Sequence, residues 1–224
     1  MSRIHFIGTV HGDPAGETRL KKALQIEKPT ILTLEYSKEL EEYVKNEAIP
    51  AMHEKIDSLK LPISETESLK NLLYNTSFEI TTARGYALSQ GIPLHYVDHP
   101  SVIDSLKANV SLACKLPAQK FKLCLRPLYV PEKVKINSIY ADYQKLFESN
   151  GEEEQQKINL EADYFGPRDS YMAESIEKII EPGARIVHVG GIGHCLKDSR
   201  GRTLFSKLRK YNPTRETLRW YEDK

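Results

Sequence analysis

The chain has 224 residues, 28% of them charged, and a formal net charge of +1. That length carries one domain with a sizeable core or two small ones, and the balanced charge supplies no global field to attract nucleic acid or a membrane surface. No apolar run approaches the ~20 residues of a membrane span, and no secretory apolar segment follows Met1-Ser2-Arg3. Cys114, Cys124 and Cys195 show no metal-ligand spacing, so the expectation is a reduced, disulfide-free, cytoplasmic protein.

Ile4-His5-Phe6-Ile7 reads as a buried strand and runs into Gly8-Thr9-Val10-His11. A turn at Gly12-Asp13-Pro14 precedes a helix over 17–27, with Leu20, Ala23, Leu24 and Ile26 near helical spacing. Pro29 ends it, and Thr30-Ile31-Leu32-Thr33-Leu34-Glu35 is the second strand. Strand, helix and strand in so short a stretch make a βαβ unit with parallel pairing, so Glu35 lies at a C-terminal strand end. Residues 37–91 are helical and polar, with Ser37 as N-cap of a helix over 38–46 and punctuation near Pro50 and Pro62. Within them 52–68 is ambiguous, and 77–90 is a helix with Phe78, Ala83, Ala87 and Leu88 apolar and Gly91 as C-cap. Glu79 shares the small-residue face of Ala83 and Ala87, which suits close approach to the sheet.

Residues 92–98 form the third strand and exit at Asp98-His99-Pro100. A helix over 101–115 follows, with Val102, Ile103, Leu106 and Val110 apolar. The stretch 121–130, interrupted by Pro127, reads as strand, helix or ordered loop. Helix is expected over 137–147, a solvated helix start or linker at 151–156, and an amphipathic helix over 168–180 on Met172, Ile176, Ile179 and Ile180. Pro182-Gly183 stops it. Arg185-Ile186-Val187-His188-Val189 is the fourth strand and breaks into Gly190-Gly191-Ile192-Gly193-His194. The segment 197–224 is rich in Lys and Arg; it reads as a solvated helix over 202–210 with a tail strand near 217–221, or as an anion or partner surface. The organisation expected is a single α/β domain over 1–224, a mainly parallel central sheet flanked by helices, with a helical insertion around 37–75.

Two strands, one near each end of the chain, are thus each followed by Gly-x-x-His, Gly8 to His11 and Gly191 to His194. In a parallel α/β sheet ligands bind outside the carboxyl ends of the strands. Four strands here exit at His11, Glu35, Asp98-His99 and His194, and topology alone brings those groups to one edge. Two histidines and a carboxylate match the ligand set of a catalytic divalent metal with open positions, which would activate water. Without a metal, a carboxylate-oriented histidine serves as general base. No Gly-x-Ser-x-Gly elbow supports a serine nucleophile, and Cys195 beside His194 is a weak candidate for one. Plainer roles stand beside these: helix capping for Glu35 and Asp98, a solvated carboxylate for Glu79, a loop or cap role for His11 and His194, and packed or hydrogen-bonded histidines at His5 and His188. Asp169 fits capping of its helix, while Arg168 has no local partner and suits an anion clamp.

In their order these residues resemble the TraB/Tiki family, within the wider group of erythromycin esterases and ChaN haem-binding proteins. Gly8-Thr9-Val10-His11 resembles the first Gly-x-x-His and Leu34-Glu35 the strand-end glutamate. Phe78-Glu79 with Ala83 and Ala87 resembles the glutamate helix, Arg168-Asp169-Ser170-Tyr171-Met172 the Arg-Asp-x-x-Met segment, and Gly191-Ile192-Gly193-His194 the second Gly-x-x-His. The chain departs at Asp98-His99, where relatives often carry Asp-Arg, and at Cys195, where a glycine is common. The resemblance implies a hydrolase, foremost a peptidase dependent on manganese, cobalt or zinc, with His11, Glu35 and His194 at the ion. Arg168 would be catalytic, and Glu79, Asp98 and His99 would bind substrate, orient ligands or add to them. The alternatives it implies are a metal-free esterase-type enzyme using His and Glu, or a non-catalytic haem or ligand binder. The partner expected is a peptide or small ester-like substrate, with no nucleic acid and no membrane; a homodimer stays open.

Overall fold

The two strands that lead into the Gly-x-x-His motifs, β1 (Arg3–Thr9) and β4 (Arg185–Gly191), lie side by side in parallel, with Gly8 opposite Gly190 and Thr9 opposite Gly191. Both are buried almost throughout, which is why they read as continuous apolar runs rather than as alternating ones. The computed structural model describes residues 3–75, 77–121, 133–148 and 162–224. β2 (Ile31–Leu34), β3 (Leu94–Tyr96) and β5 (Thr214–Thr217) complete a five-stranded sheet in the order β3-β2-β4-β1-β5, with every pair parallel. All strand exits therefore share one edge. The expected α/β fold with a parallel sheet flanked by helices is what forms.

Helices α1 (Gly16–Glu27), α5 (Phe78–Gln90), α7 (Lys133–Glu148) and α8 (Ala162–Glu177) enclose one apolar core on the sheet. Gly91 ends α5 in the left-handed conformation, as the sequence leads one to expect. Leu88 and Ile26, both counted on apolar faces, are exposed at 74% and 42%; Ile80 takes the buried place on α5. Gly8 marks where the motifs meet, because a Cβ there would lie 3.0 Å from Ile192 Cγ1 and 3.4 Å from Cys195 Sγ.

Between β2 and α5 the chain is helical: α2 (Lys38–Tyr43), a π-helical turn (Val44–Ala48), α3 (Ile49–Ser58) and α4 (Ile63–Asn75). Ser37 caps α2, its Oγ accepting from the Leu40 N–H at 3.0 Å. Pro50 does not break the run. The π turn opens the hydrogen-bond ladder just where proline has no N–H to give. Met52, Ile56, Leu69, Leu73 and Phe121 give this part a small core of its own, and α6 (Val102–Lys115) packs beside it.

Several boundaries differ from expectation. α8 begins at Ala162, upstream of 168, and runs through Pro167, so Arg168 and Asp169 are not its cap. The third strand is only Leu94–Tyr96. The tail strand forms at Thr214–Thr217, and Leu218 and Tyr221 are buried from a 3-10 turn instead. In place of one helix over 202–210 there is α9 (Leu204–Lys207) and a further 3-10 turn. Three of the tail's cations are engaged within the chain: Arg215 lies between the Phe147 and Phe205 rings and donates to the Cys195 carbonyl, while Arg202 and Lys210 pair with Asp198 and Glu177. The stretch 122–130 and the 151–156 run, with Cys124, lie outside the described residues. No helix among the described residues is long and apolar enough to cross a membrane.

Candidate active site at the strand exits

His11 follows β1 by two residues, Glu35 follows β2 directly, Asp98 follows β3 by two, and His194 sits in the 3-10 turn after β4. Glu79 in the first turn of α5 and Arg168 in α8 reach the same edge. Arg168 is the hub. Its Nε and Nη2 donate to Asp98 Oδ1 and Oδ2, each at 2.7 Å, and Nη2 also donates to Glu35 Oε1 at 2.7 Å. This two-pronged grip on Asp98 is the geometry a guanidinium supplies and an ammonium does not.

His194 is 4% exposed and held on both sides, Nδ1 at 2.7 Å from Asp169 Oδ1 and Nε2 at 3.1 Å from Glu35 Oε1. Burial opposes charging of this ring, but Glu35 and Asp169 outweigh it and raise its pKa to about 10. Asp169 in turn accepts the Leu204 N–H at 2.5 Å, tying the site to the start of α9. Its role is to orient His194. Glu35 is buried too, which by itself would disfavour its charge, yet His194, Arg168 and His11 hold it well below the usual carboxylate range. Its Oε2 accepts the Gly191 N–H at 2.5 Å. Among the described residues neither carboxylate is bonded to the start of the helix that follows it: Glu35 is held by Arg168, His194 and the Gly191 N–H, and Asp98 by Arg168 and the His99 N–H.

His11 differs from His194 in one respect that matters for chemistry: its side chain is half exposed, at 50%. Nδ1 lies 2.8 Å from Glu79 Oε1, and Glu79 is only 1% exposed. Nε2 is on the other side of the ring, near Gly191, where a Cβ would come within 3.5 Å of it and within 3.4 Å of Glu35 Oε2. Burial alone would lower the His11 pKa; the adjacent Glu79, with help from Glu35, instead raises it to about 9. Glu79 Oε2 has no partner among the described residues. His11, Glu35, Glu79, Asp98, Arg168 and His194 are thus brought together. His99 is not: its Nδ1 pairs with Ser101 Oγ and its ring packs on Tyr171.

Tyr36 is the residue that sequence reading passed over, although it directly follows Glu35. With His11, Glu35, Asp98 and Arg168 it lines a cavity at the strand exits, and burial together with Glu79, Glu35 and Asp98 pushes its pKa well up, so it remains an O–H donor. His5 and His188 are structural, bonded to Thr214 and Tyr221 and to Thr33 respectively. Burial lowers His188 to about 4 and keeps it neutral under Glu35. Cys195 is fully buried beneath Gly8, and burial raises its thiol, so it is not placed as a nucleophile.

Gly190 shows how tightly the floor is packed. A Cβ there would lie 2.6 Å from Glu35 Oε2 and 2.7 Å from His188 Nε2. Gly190→Ala is expected to destabilise the fold by about 1–3 kcal/mol, read as a lower denaturant midpoint, with a comparable cost absent from Gly85→Ala, where the added carbon meets open space.

The trio His11, Glu35 and His194 was expected to hold a divalent metal, which requires lone pairs aimed at one point. Here both His194 nitrogens face carboxylates, both Glu35 oxygens are engaged, and a guanidinium stands between Glu35 and Asp98. Among the described residues no group of three or more His, Cys, Asp or Glu side chains has metal-holding geometry. As arranged, the donor set does not fit a divalent ion. Arg168 and the charged His194 ring supply the positive charge beside Glu35.

No protein-family model matches the chain, and no curated protein and no solved structure matches it significantly.

Proposed function

We propose that the protein is a hydrolase of carbonyl compounds in which the His11–Glu79 pair activates water without a metal. The observation that carries this is the bond from His11 to a carboxyl buried in α5, at 2.8 Å, with the opposite ring nitrogen left at the cleft. That is the arrangement of an oriented general base. The resemblance to esterase-type relatives of the TraB/Tiki group agrees with it. In the reaction, neutral His11 takes a proton from water through Nε2 as the oxygen attacks the carbonyl carbon. Glu79 stabilises the imidazolium so formed. Negative charge develops on the carbonyl oxygen beside the Arg168 guanidinium and the Tyr36 hydroxyl, both of which line the cavity. As the tetrahedral adduct collapses, His11 returns the proton to the leaving alkoxide or amine. Glu35, Asp98, Asp169 and His194 keep Arg168 and the floor fixed, so donors need not reorganise during the step.

The sign of the pH dependence follows from His11. The ring must be neutral to act as base, so kcat/KM on a short ester such as p-nitrophenyl acetate should rise with pH through an ionisation near pH 9, the His11 value. Glu79 raises that value by favouring the charged ring. Glu79→Gln should therefore move the limb to lower pH, toward the ordinary histidine range near ~6.5, while lowering the plateau rate because the ring loses its orienting carboxylate. A limb at the same pH in both proteins would remove Glu79, and with it the pair, from the mechanism.

A further inference from the structure

The cleft above the cluster is a cavity of about 360 Å³, and its lining is sharply divided. Among the described residues the ionisable side chains on it, His11, Glu35, Tyr36, Asp98 and Arg168, stand at the strand-exit end. Beyond Ser77 the described remainder is aliphatic or methionine: Leu40 on α2, Val44 on the π turn, Met52 on α3, Leu73 on α4, and Leu106 and Val110 on α6. A π turn inside a helical run is a distortion found mostly at functional positions. Here it presents Val44 and Ala48 to the cavity.

α6 supplies the second observation. Val102, Leu106 and Val110 recur every four residues and so form one face. That face lines the cavity, and α6 buries none of its residues fully. Val110 also meets the small core, and the rest of the stripe, turned toward a cavity, is a surface for an apolar ligand. The chemistry of that ligand follows from the division of the lining. A peptide lying along the helices would bring amide N–H and C=O groups against a wall with almost nothing to bond them, which is costly. A chain of methylenes has no such groups.

We infer that the substrate is a carboxylic ester of an apolar acyl chain, with the ester carbonyl at His11 and Arg168 and the chain seated along α6 and the π turn; this rests on the hydrolase reading above. Water adds to the acyl carbon, the bond to the alkoxy oxygen breaks, and the products are the chain carboxylic acid and an alcohol that takes the proton from His11.

The test compares p-nitrophenyl acetate with p-nitrophenyl octanoate on the full chain, and titrates 2-decanone, a ketone with an eight-carbon chain that cannot be hydrolysed. Wild type should favour octanoate over acetate in kcat/KM by about tenfold or more. In Leu106→Arg the ratio should fall to within about threefold of unity, because a charge then stands on the apolar face; Val110→Arg serves if that variant does not fold. Calorimetry should show 2-decanone bound by wild type and about tenfold more weakly by the variant. Acetate cleaved with no octanoate preference and no ketone binding would overturn the chain site and leave the hydrolase reading standing. Ketone binding that is sensitive to Leu106→Arg, with neither ester cleaved, would support the apolar site and overturn the hydrolase reading.

Discussion

Replacing Arg168 with methionine should cost about 3–5 kcal/mol of folding stability, the range for removing one partner of a buried ion pair. Arg168 is 12% exposed, and its partners Glu35 and Asp98 are 4% and 1% exposed, so both carboxylates depend on the guanidinium rather than on bulk water. Three of the hub's bonds, each 2.7 Å, would be lost together. Against a typical total of about 5–15 kcal/mol this is a large fraction, and for a chain of this size it corresponds to a fall of roughly 6–20 °C in Tm. The cost lies in stranded charge rather than in lost volume. Arg168→Met combined with Glu35→Gln and Asp98→Asn should therefore be more stable than Arg168→Met alone, which chemical denaturation would measure. A loss below ~1 kcal/mol in the single variant, the usual figure for a solvated pair, would mean that Arg168 is not the fixed cation of the site.

The largest effect on activity is expected at His11. His11→Ala should lower kcat/KM by about 10²–10⁴-fold, the contribution of a positioned general base. Because the side chain is half exposed, little core packing is lost. Its partner Glu79 is buried, however, and would lose its hydrogen bond to His11, so the variant needs its fold checked by circular dichroism and thermal unfolding. Two groups that act as a unit give non-additive losses. The double variant His11→Ala with Glu79→Gln should be no slower than His11→Ala, and should regain some stability because no carboxyl is left unpaired. A double variant slower by the product of the single effects would separate the two residues.

The site was legible to the extent that topology made it so. Parallel strands place their carboxyl ends on one edge, and His11, Glu35, Asp98 and His194 were readable as strand exits from local sequence alone. Their bonding was not. Arg168 and Asp169 read as the opening of a helix, but α8 begins at Ala162, and their partners are Asp98, Glu35, His194 and Leu204, all distant in sequence. With Arg168 placed, His194 and Glu35 of the expected metal trio are bound into a charge network with Asp169 and Asp98, while His11 keeps one ring nitrogen at the cleft. Glu79 could be placed on the small-residue face that suits the sheet, but a solvated helix carboxyl fitted the same pattern; the packing of α5 onto the sheet buries it. His99, judged by adjacency to Asp98, turns away to Ser101 and Tyr171. The cavity walls were unreadable for a different reason: Leu40, Val44, Leu73 and Leu106 come from four separate helical segments, and an apolar helix face looks the same in sequence whether it meets a core or a ligand. In the tail, the position of β5 follows from its pairing with β1, His5 opposite Thr214 through Gly8 opposite Thr217, which no local pattern specifies.

The most direct test of the central claim is the rate of p-nitrophenyl acetate hydrolysis by protein stripped with a strong chelator and verified free of metal, beside the same protein reloaded with zinc, manganese or cobalt. The His11–Glu79 mechanism predicts one rate in every sample, abolished by His11→Ala. Activity that is lost on stripping, and restored in proportion to added metal, would contradict it and require Arg168 to leave its place between Glu35 and Asp98.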